Sequence, residues 1–255
     1  MNVLYLIIFF ILGLFMGSFY TVIGLRSPKH ENYLTGRSYC DKCRHTLSFL
    51  DMIPILSYIL LRGKCRYCKE KIDPLSTYME LFTGVLFALS YAIFGITYGL
   101  LIALGIVSML IIISVSDISY YIIPDEVLIF FAGYFLITLT LCNGVMSTLS
   151  NILSGFIVFL VMYTIMLLGN FLFKKESLGG GDIKLMFVVG LILSPLPSLF
   201  VIFFGSLIAL PISILILIRK KTKMIPFGPF LLIAFLFMYF TRIDTNMILS
   251  FLSFR

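Results

Sequence analysis

The chain has 255 residues, of which 60% are hydrophobic and 12% charged, with a formal net charge of +7 and a mean hydropathy of +1.10. Soluble domains carry about 25% charged residues, so a water-soluble globular fold is excluded. Continuously apolar runs of about 20 residues, without strict alternation, point instead to an all-α polytopic membrane protein and argue against a transmembrane β-barrel.

Eight membrane segments are expected in chain order, over residues 4–25, 77–94, 98–116, 122–141, 149–173, 182–193, 196–218 and 225–240. The first resembles a signal peptide only superficially. Its apolar run exceeds the usual h-region of about 7–15 residues, and its positive charges follow the run rather than precede it, so 1–25 is expected to be a retained anchor. Residues 26–76 form one large polar loop, and 77–255 the membrane-embedded remainder. The sixth segment is short for a span and is expected to be tilted, buried, or merged with its neighbour across a break marked by Pro195 and Pro197. Gly13 with Gly17, and Gly99 with Ala103, would let helices approach closely. No internal repeat or low-complexity tract is evident.

Charge sets the expected orientation. Ten of the nineteen Lys and Arg residues lie between Arg26 and Lys71. Lys174, Lys175 and Lys184 flank the fifth and sixth segments, and Arg219, Lys220, Lys221 and Lys223 join the seventh to the eighth. With eight spans and the amino terminus outside, these seventeen fall on one face, while the opposite turns near 95–97, 142–148 and 194–198 carry no charge. The positive-inside rule makes the basic face cytoplasmic. The net charge therefore reports topology and the lipid bilayer, with no nucleic-acid partner expected.

On this topology Asp117, after the third segment, and Asp182, opening the sixth, reach the same cytoplasmic border. Charged groups at that depth are rarely idle, and two carboxylates at one site can share a proton and activate water. The alternative is a pair of ordinary interfacial charges, with Asp182 favoured by a helix amino terminus. Gly179, Gly180 and Gly181 precede Asp182 and would permit close backbone approach to a substrate. They lack the GK[ST] ending of a phosphate-binding loop. Pro124 suits the first turn of the next helix, with Asp125 and Glu126 stabilising its start or orienting substrate. Lys184 either orients Asp182, counters its charge, or faces the cytoplasm.

Cys40-Asp-Lys-Cys43 and Cys65-Arg-Tyr-Cys68 are two CxxC pairs separated by 21 residues. Four thiolates at this spacing suit a closed, structural tetrahedral zinc site, and a reducing cytoplasm disfavours two disulfides. His45 is a less natural ligand, His30 has no evident partner, and Cys142 reads as a small membrane residue.

Taken together these residues resemble the type IV prepilin leader peptidases, polytopic aspartic proteases of the GxGD class. The resemblance runs through Gly17-Ser18-Phe19, Arg26-Ser27-Pro28, both CxxC pairs, Ile53-Pro54-Ile55-Leu56-Ser57, Leu61-Arg62-Gly63-Lys64-Cys65-Arg66, Tyr78-Met79-Glu80-Leu81, Asp117, Ile123-Pro124-Asp125 and Gly179-Gly180-Gly181-Asp182-Ile183-Lys184. Thr21 stands where the family often has Asn, and the usual Trp of the cysteine loop is absent.

The resemblance implies an enzyme of the prokaryotic cytoplasmic membrane. It would cut the short basic leader from type IV prepilins or pseudopilins with Asp117 and Asp182, and methylate the new amino terminus using S-adenosylmethionine. Glu80 would orient substrate or cofactor, or merely sit near the start of its helix. A transporter, or a zinc-bearing membrane adaptor without catalysis, are the alternatives. The transporter predicts polar groups near the bilayer midplane and matching halves.

Overall fold

The computed structural model describes residues 2–33, 35, 37–40, 42–174, 178–220 and 225–253. Its helices are α1 (Val3–Arg26), α2 (Leu56–Leu60), α3 (Leu75–Phe94), α4 (Tyr98–Tyr120), α5 (Asp125–Asn143), α6 (Val145–Phe173), α7 (Gly180–Ile192), α8 (Pro195–Lys220), α9 (Gly228–Phe240) and α10 (Thr245–Leu252). Among the described residues there is no strand, only two isolated antiparallel bridges. Six helices are long and apolar enough to cross a membrane, namely α1, α3, α4, α5, α6 and α8. The protein is therefore an all-α polytopic membrane protein.

Each of the eight expected segments is a helix, with three differences of detail. The third runs on to Tyr120, so Asp117 lies inside its final turn rather than after it. The eighth begins at Gly228, because Pro226 and Pro229 restrict the backbone there. Helix α10, started by the Asp244 side chain accepting from the Met247 N–H at 2.8 Å, was not anticipated. The short sixth segment is the buried kind. Seven of the 13 residues of α7 are buried, and Leu193 and Ser194 separate it from Pro195 at the start of α8. Of the basic residues used for orientation, Lys175, Lys221 and Lys223 lie outside the described residues.

The chain divides into two compact units, 1–100 and 101–255. In the first, α1 and α3 run antiparallel and touch through glycine. A Cβ on Gly13 would stand 2.7 Å from the Gly84 Cα, and one on Gly17 would stand 2.8 Å from the Glu80 Cα. Lipid tails are as apolar as leucine, so such close van der Waals contact, rather than hydrophobic burial, holds helices together. Thr21 and Thr83 donate their hydroxyls to their own helix, to Gly17 O and Met79 O, which keeps both satisfied without water.

In the second unit α4 is buried nearly all round, from Ala103 to Asp117. Tyr134 and Phe135 of α5 close on Gly105 of α4, and the Tyr134 hydroxyl donates to Leu101 O at 2.8 Å. Helices α6 and α7 meet at Gly155 and Gly190, where an added Cβ on Gly190 would lie 2.8 Å from the Gly155 Cα. Helix α8 packs on α9 and also touches α6, α7 and α10. One end of this unit is tied by Ser154 donating to Leu193 O at 3.0 Å and by Ser194 bonded to Thr245 at 2.7 Å. The other end gathers the last turn of α4 and the starts of α5, α7 and α9.

Candidate active site

Asp117 is buried in the last turn of α4. Beyond it the chain turns through Tyr121, which adopts a left-handed φ of 57°. Ser116 donates its hydroxyl to Ile122 O, holding the turn against the helix end. Gly228, the first residue of α9, donates its N–H to Asp117 Oδ2 at 2.9 Å. Helix amino termini offer such unpaired donors and a partial positive charge, so a carboxylate is well placed there. A Cβ on Gly228 would sit 3.0 Å from the same oxygen.

Asp182 is the third residue of α7, with Gly179 as its N-cap. Its Oδ1 is buried and has no hydrogen-bond partner among the described residues. Ile123 joins their settings: a Cβ on Gly181 would come within 2.9 Å of its Cβ, and one on Gly228 within 3.3 Å of its Cδ1.

The three glycines differ in kind. None has a positive φ, so left-handed backbone is not the reason for them. Gly181 is needed for space against Ile123, and a Cβ on Gly179 would lie 3.0 Å from Asp182 Oδ2, whereas Gly180 faces open space.

Pro124 is the N-cap of α5 rather than a residue of its first turn, while Asp125 and Glu126 do occupy that turn. Lys184 reaches neither aspartate of the pair. Its Nζ donates to both oxygens of Asp125, at 2.8 and 2.7 Å. Both side chains are more than half exposed, at 54% and 58%, so the pair adds at most about 1 kcal/mol. It aligns the starts of α5 and α7.

In the first unit the four expected cysteines converge, with all Sγ atoms within 4.8 Å of one another. Cys40 and Cys68 Sγ are 3.9 Å apart. Tetrahedral zinc with Zn–S near 2.3 Å requires sulfurs about 3.8 Å apart, so this donor set fits the metal. Two matching knuckles present the sulfurs. Cys40 N–H donates to His45 O and Arg44 N–H to Cys40 O; Cys65 N–H donates to Glu70 O and Lys69 N–H to Cys65 O. Arg44 and Lys69 take left-handed φ values of 58° and 59° at equivalent positions. The loop thus holds a short structural repeat beyond the CxxC spacing. His45 stacks on Tyr67 at 3.6 Å and stands outside the sulfur group.

Glu80 is buried six residues into α3, beyond the first turn. Its carboxylate accepts from the Ile55 N–H at 2.9 Å and the Ser76 hydroxyl at 3.3 Å. Sequence reasoning missed Gly228 and Ile123 as parts of the aspartate setting. The Pro226-Phe227-Gly228-Pro229 run was the available signal, since a glycine before proline at a helix start marks a constrained approach.

Known proteins place this arrangement. Residues 11–94 match the family model for the bacterial peptidase A24 N-terminal domain, and residues 104–214 match the type IV leader peptidase family. A prepilin leader peptidase/N-methyltransferase of Bacillus subtilis is 37% identical over 225 residues, covering 87% of this chain and 88% of that protein. The chain belongs to the type IV leader peptidase family. A second relative with the same name, from Vibrio cholerae, is 31% identical over 261 residues, covering 94% of this chain and 98% of its own. One from Myxococcus xanthus is 33% identical over 217 residues, covering 84% of this chain and 64% of its own. No solved structure matches the chain. Both family segments fall on helical membrane units, the first carrying the four-cysteine cluster and the second carrying Asp117 and Asp182.

Proposed function

We propose that this protein removes the leader peptide from type IV prepilins or pseudopilins at the cytoplasmic face of a prokaryotic cytoplasmic membrane, and methylates the amino terminus so exposed. The observation that carries the peptidase reading is the convergence of Asp117 and Asp182 at one end of the second unit. Among the described residues Asp182 Oδ1 has no hydrogen-bond partner there, while Asp117 Oδ2 is held by Gly228.

Peptide hydrolysis by such a pair needs one carboxyl ionised and the other protonated. The ionised group takes a proton from water as the water oxygen attacks the scissile carbonyl carbon. The protonated group donates to the carbonyl oxygen, and the carbon–nitrogen bond then breaks as the leaving amine gains a proton. No covalent enzyme intermediate is needed. The two roles belong to the pair, because coupled carboxyls titrate as a unit. Helix-terminal placement suits a substrate whose apolar helix lies in the bilayer and whose basic leader projects from it. Chemistry at this border also favours a protease over a transporter, whose polar groups belong near the midplane.

Peptide hydrolysis is assigned within residues 77–255 and the metal to 26–76, with zinc cross-linking the two knuckles through Cys40, Cys43, Cys65 and Cys68. Gly179, Gly180, Gly181 and Lys184 shape the start of α7, with Asp125 as the Lys184 partner and Glu126 beside it. Use of S-adenosylmethionine rests on the relatives' names. Glu80 is engaged by protein donors, so no methyl-transfer step is assigned to it.

The test is co-expression of a prepilin with wild type, Asp117→Asn or Asp182→Asn, reading mature amino termini by mass spectrometry. Each variant is expected to lose cleavage by on the order of 10²–10⁴-fold, the usual contribution of a positioned acid or base. Normal cleavage by either would reject the aspartyl dyad.

A further inference from the structure

Between the two cysteine knuckles lies a hairpin that departs from the polar character of its loop. A short 3-10 turn, Phe49–Met52, packs against α2, Leu56–Leu60. Phe49, Leu50, Leu56, Ile59 and Leu60 are all exposed, Phe49 at 72% and Leu60 at 80%. Five large apolar side chains on so short a segment would be a poor surface in water.

Depth is set by the turn that joins the two pieces. Ile55 has φ 61° and ψ −50°, and the Leu56 N–H donates back to Pro54 O at 2.6 Å. A β-branched residue rarely tolerates this backbone, so something must hold it. The holder is Glu80, which accepts the Ile55 N–H at 2.9 Å. Glu80 lies five residues beyond Leu75 at the start of α3, or about 7 Å down the helix at 1.5 Å per residue. It also lies against Gly17, well inside the apolar run of α1. The hairpin is therefore pinned below the end of a membrane helix, in the depth range of about 5–10 Å where interfacial helices bury their apolar face.

Charge agrees with that placement. Arg62 and Lys64, both exposed, lie two and four residues after Leu60, and residues 26–76 hold ten Lys and Arg against five Asp and Glu. The one acid within the hairpin, Asp51, is enclosed at 2% side-chain exposure and paired with Arg66 at 2.6 Å. It presents no free charge to lipid.

We propose that Phe49–Leu60 is a monotopic hairpin embedded in the membrane interface. Its apolar side chains enter the upper acyl region, and Arg62 and Lys64 meet anionic headgroups. The hairpin anchors the cysteine knuckles against the bilayer, and Glu80 fixes its depth.

The chain contains no tryptophan, so single-tryptophan reporters are clean. Phe49→Trp, Leu60→Trp and, as a control on the knuckle, Glu70→Trp would be reconstituted in phosphatidylcholine vesicles with and without phosphatidylglycerol. Brominated acyl chains serve as the quencher. Blue-shifted emission and loss of most intensity for Phe49→Trp and Leu60→Trp, but not Glu70→Trp, are expected, stronger with phosphatidylglycerol. Ile59→Trp gives a second reporter if one variant fails to fold. Emission as water-exposed as the control would overturn the proposal. So would quenching that fades as the protein-to-lipid ratio rises, which would mean that a second copy covers the face. The readout is independent of peptide cleavage, so it stands or falls separately from the enzymatic reading.

Discussion

At the scale of single residues, the setting of the two aspartates depends on atoms that are absent as much as on those present. Gly181 and Gly228 have no room for a Cβ beside Ile123 and Asp117, whereas Gly180 has open space. Gly180→Ala should leave prepilin cleavage intact and, because alanine restricts the unfolded chain, leave stability unchanged or raise it by up to about 1 kcal/mol. Gly181→Ala should push α7 off Ile123, at about 1–3 kcal/mol of overpacking. Since displacements near 1 Å can lower a rate about 10²-fold, its cleavage rate should fall by roughly that factor. Side-by-side rates and melting temperatures of the two variants check this, and equal activity would remove the spatial role of Gly181. These distinctions were only half legible in the sequence. A glycine run before an aspartate signals a constrained backbone, but which glycine is crowded depends on Ile123, 58 positions away.

Among the elements, the cysteine loop is organised by Asp51. It closes the Phe49–Met52 turn by accepting from the Ser48 N–H at 3.1 Å and its hydroxyl at 2.7 Å, and it pairs with Arg66 at 2.6 Å. Burial pushes its carboxyl up, but the Ser48 hydrogen bonds and Arg66 outweigh it and hold the group down at about 2. A carboxyl held below its ordinary range stabilises the fold above that range. The contribution disappears as pH falls from ~4 through that lowered value. Asp51→Asn removes the charge at neutral pH and should lower loop stability by on the order of 1–3 kcal/mol. Faster limited proteolysis within residues 26–76 would report the change, and an unchanged rate would show that the Arg66 pair contributes little. A close helix approach along α1 was readable from Gly13 and Gly17. The α3 residues they meet, Gly84 for Gly13 and Glu80 for Gly17, were not, because one sequence shows spacing along a helix but not its partner.

At the level of the whole molecule, the metal site and the aspartate pair sit in separate compact units, divided between Leu100 and Leu101. Zinc removal, or Cys65→Ser, should expose the 26–76 loop to trypsin while peptide hydrolysis persists. An intact trypsin pattern after chelation would mean that the knuckles hold without metal. A companion prediction concerns orientation. Trypsin should cut this loop in inverted membrane vesicles and spare it in right-side-out vesicles, and the reverse pattern would invert the proposed topology. The proposed topology rests on charge asymmetry alone, which acts on every segment in the same way. Helix existence was legible because apolar runs without water to bond must satisfy their backbone internally.

Composition and local pattern therefore carried the class, the apolar helices, six of them long enough to span a membrane, and the four-cysteine cluster, since each follows from properties of contiguous or regularly spaced residues. Tertiary structure decided the remainder. It buried the short α7, gave Lys184 to Asp125 instead of Asp182, set Gly228 against Asp117, and bent Ile55 onto Glu80. Each joins residues at least 25 positions apart or rests on neighbouring helices. Such pairings arise from helix packing, in which shape and unpaired hydrogen-bond donors choose among partners that sequence spacing alone leaves equivalent.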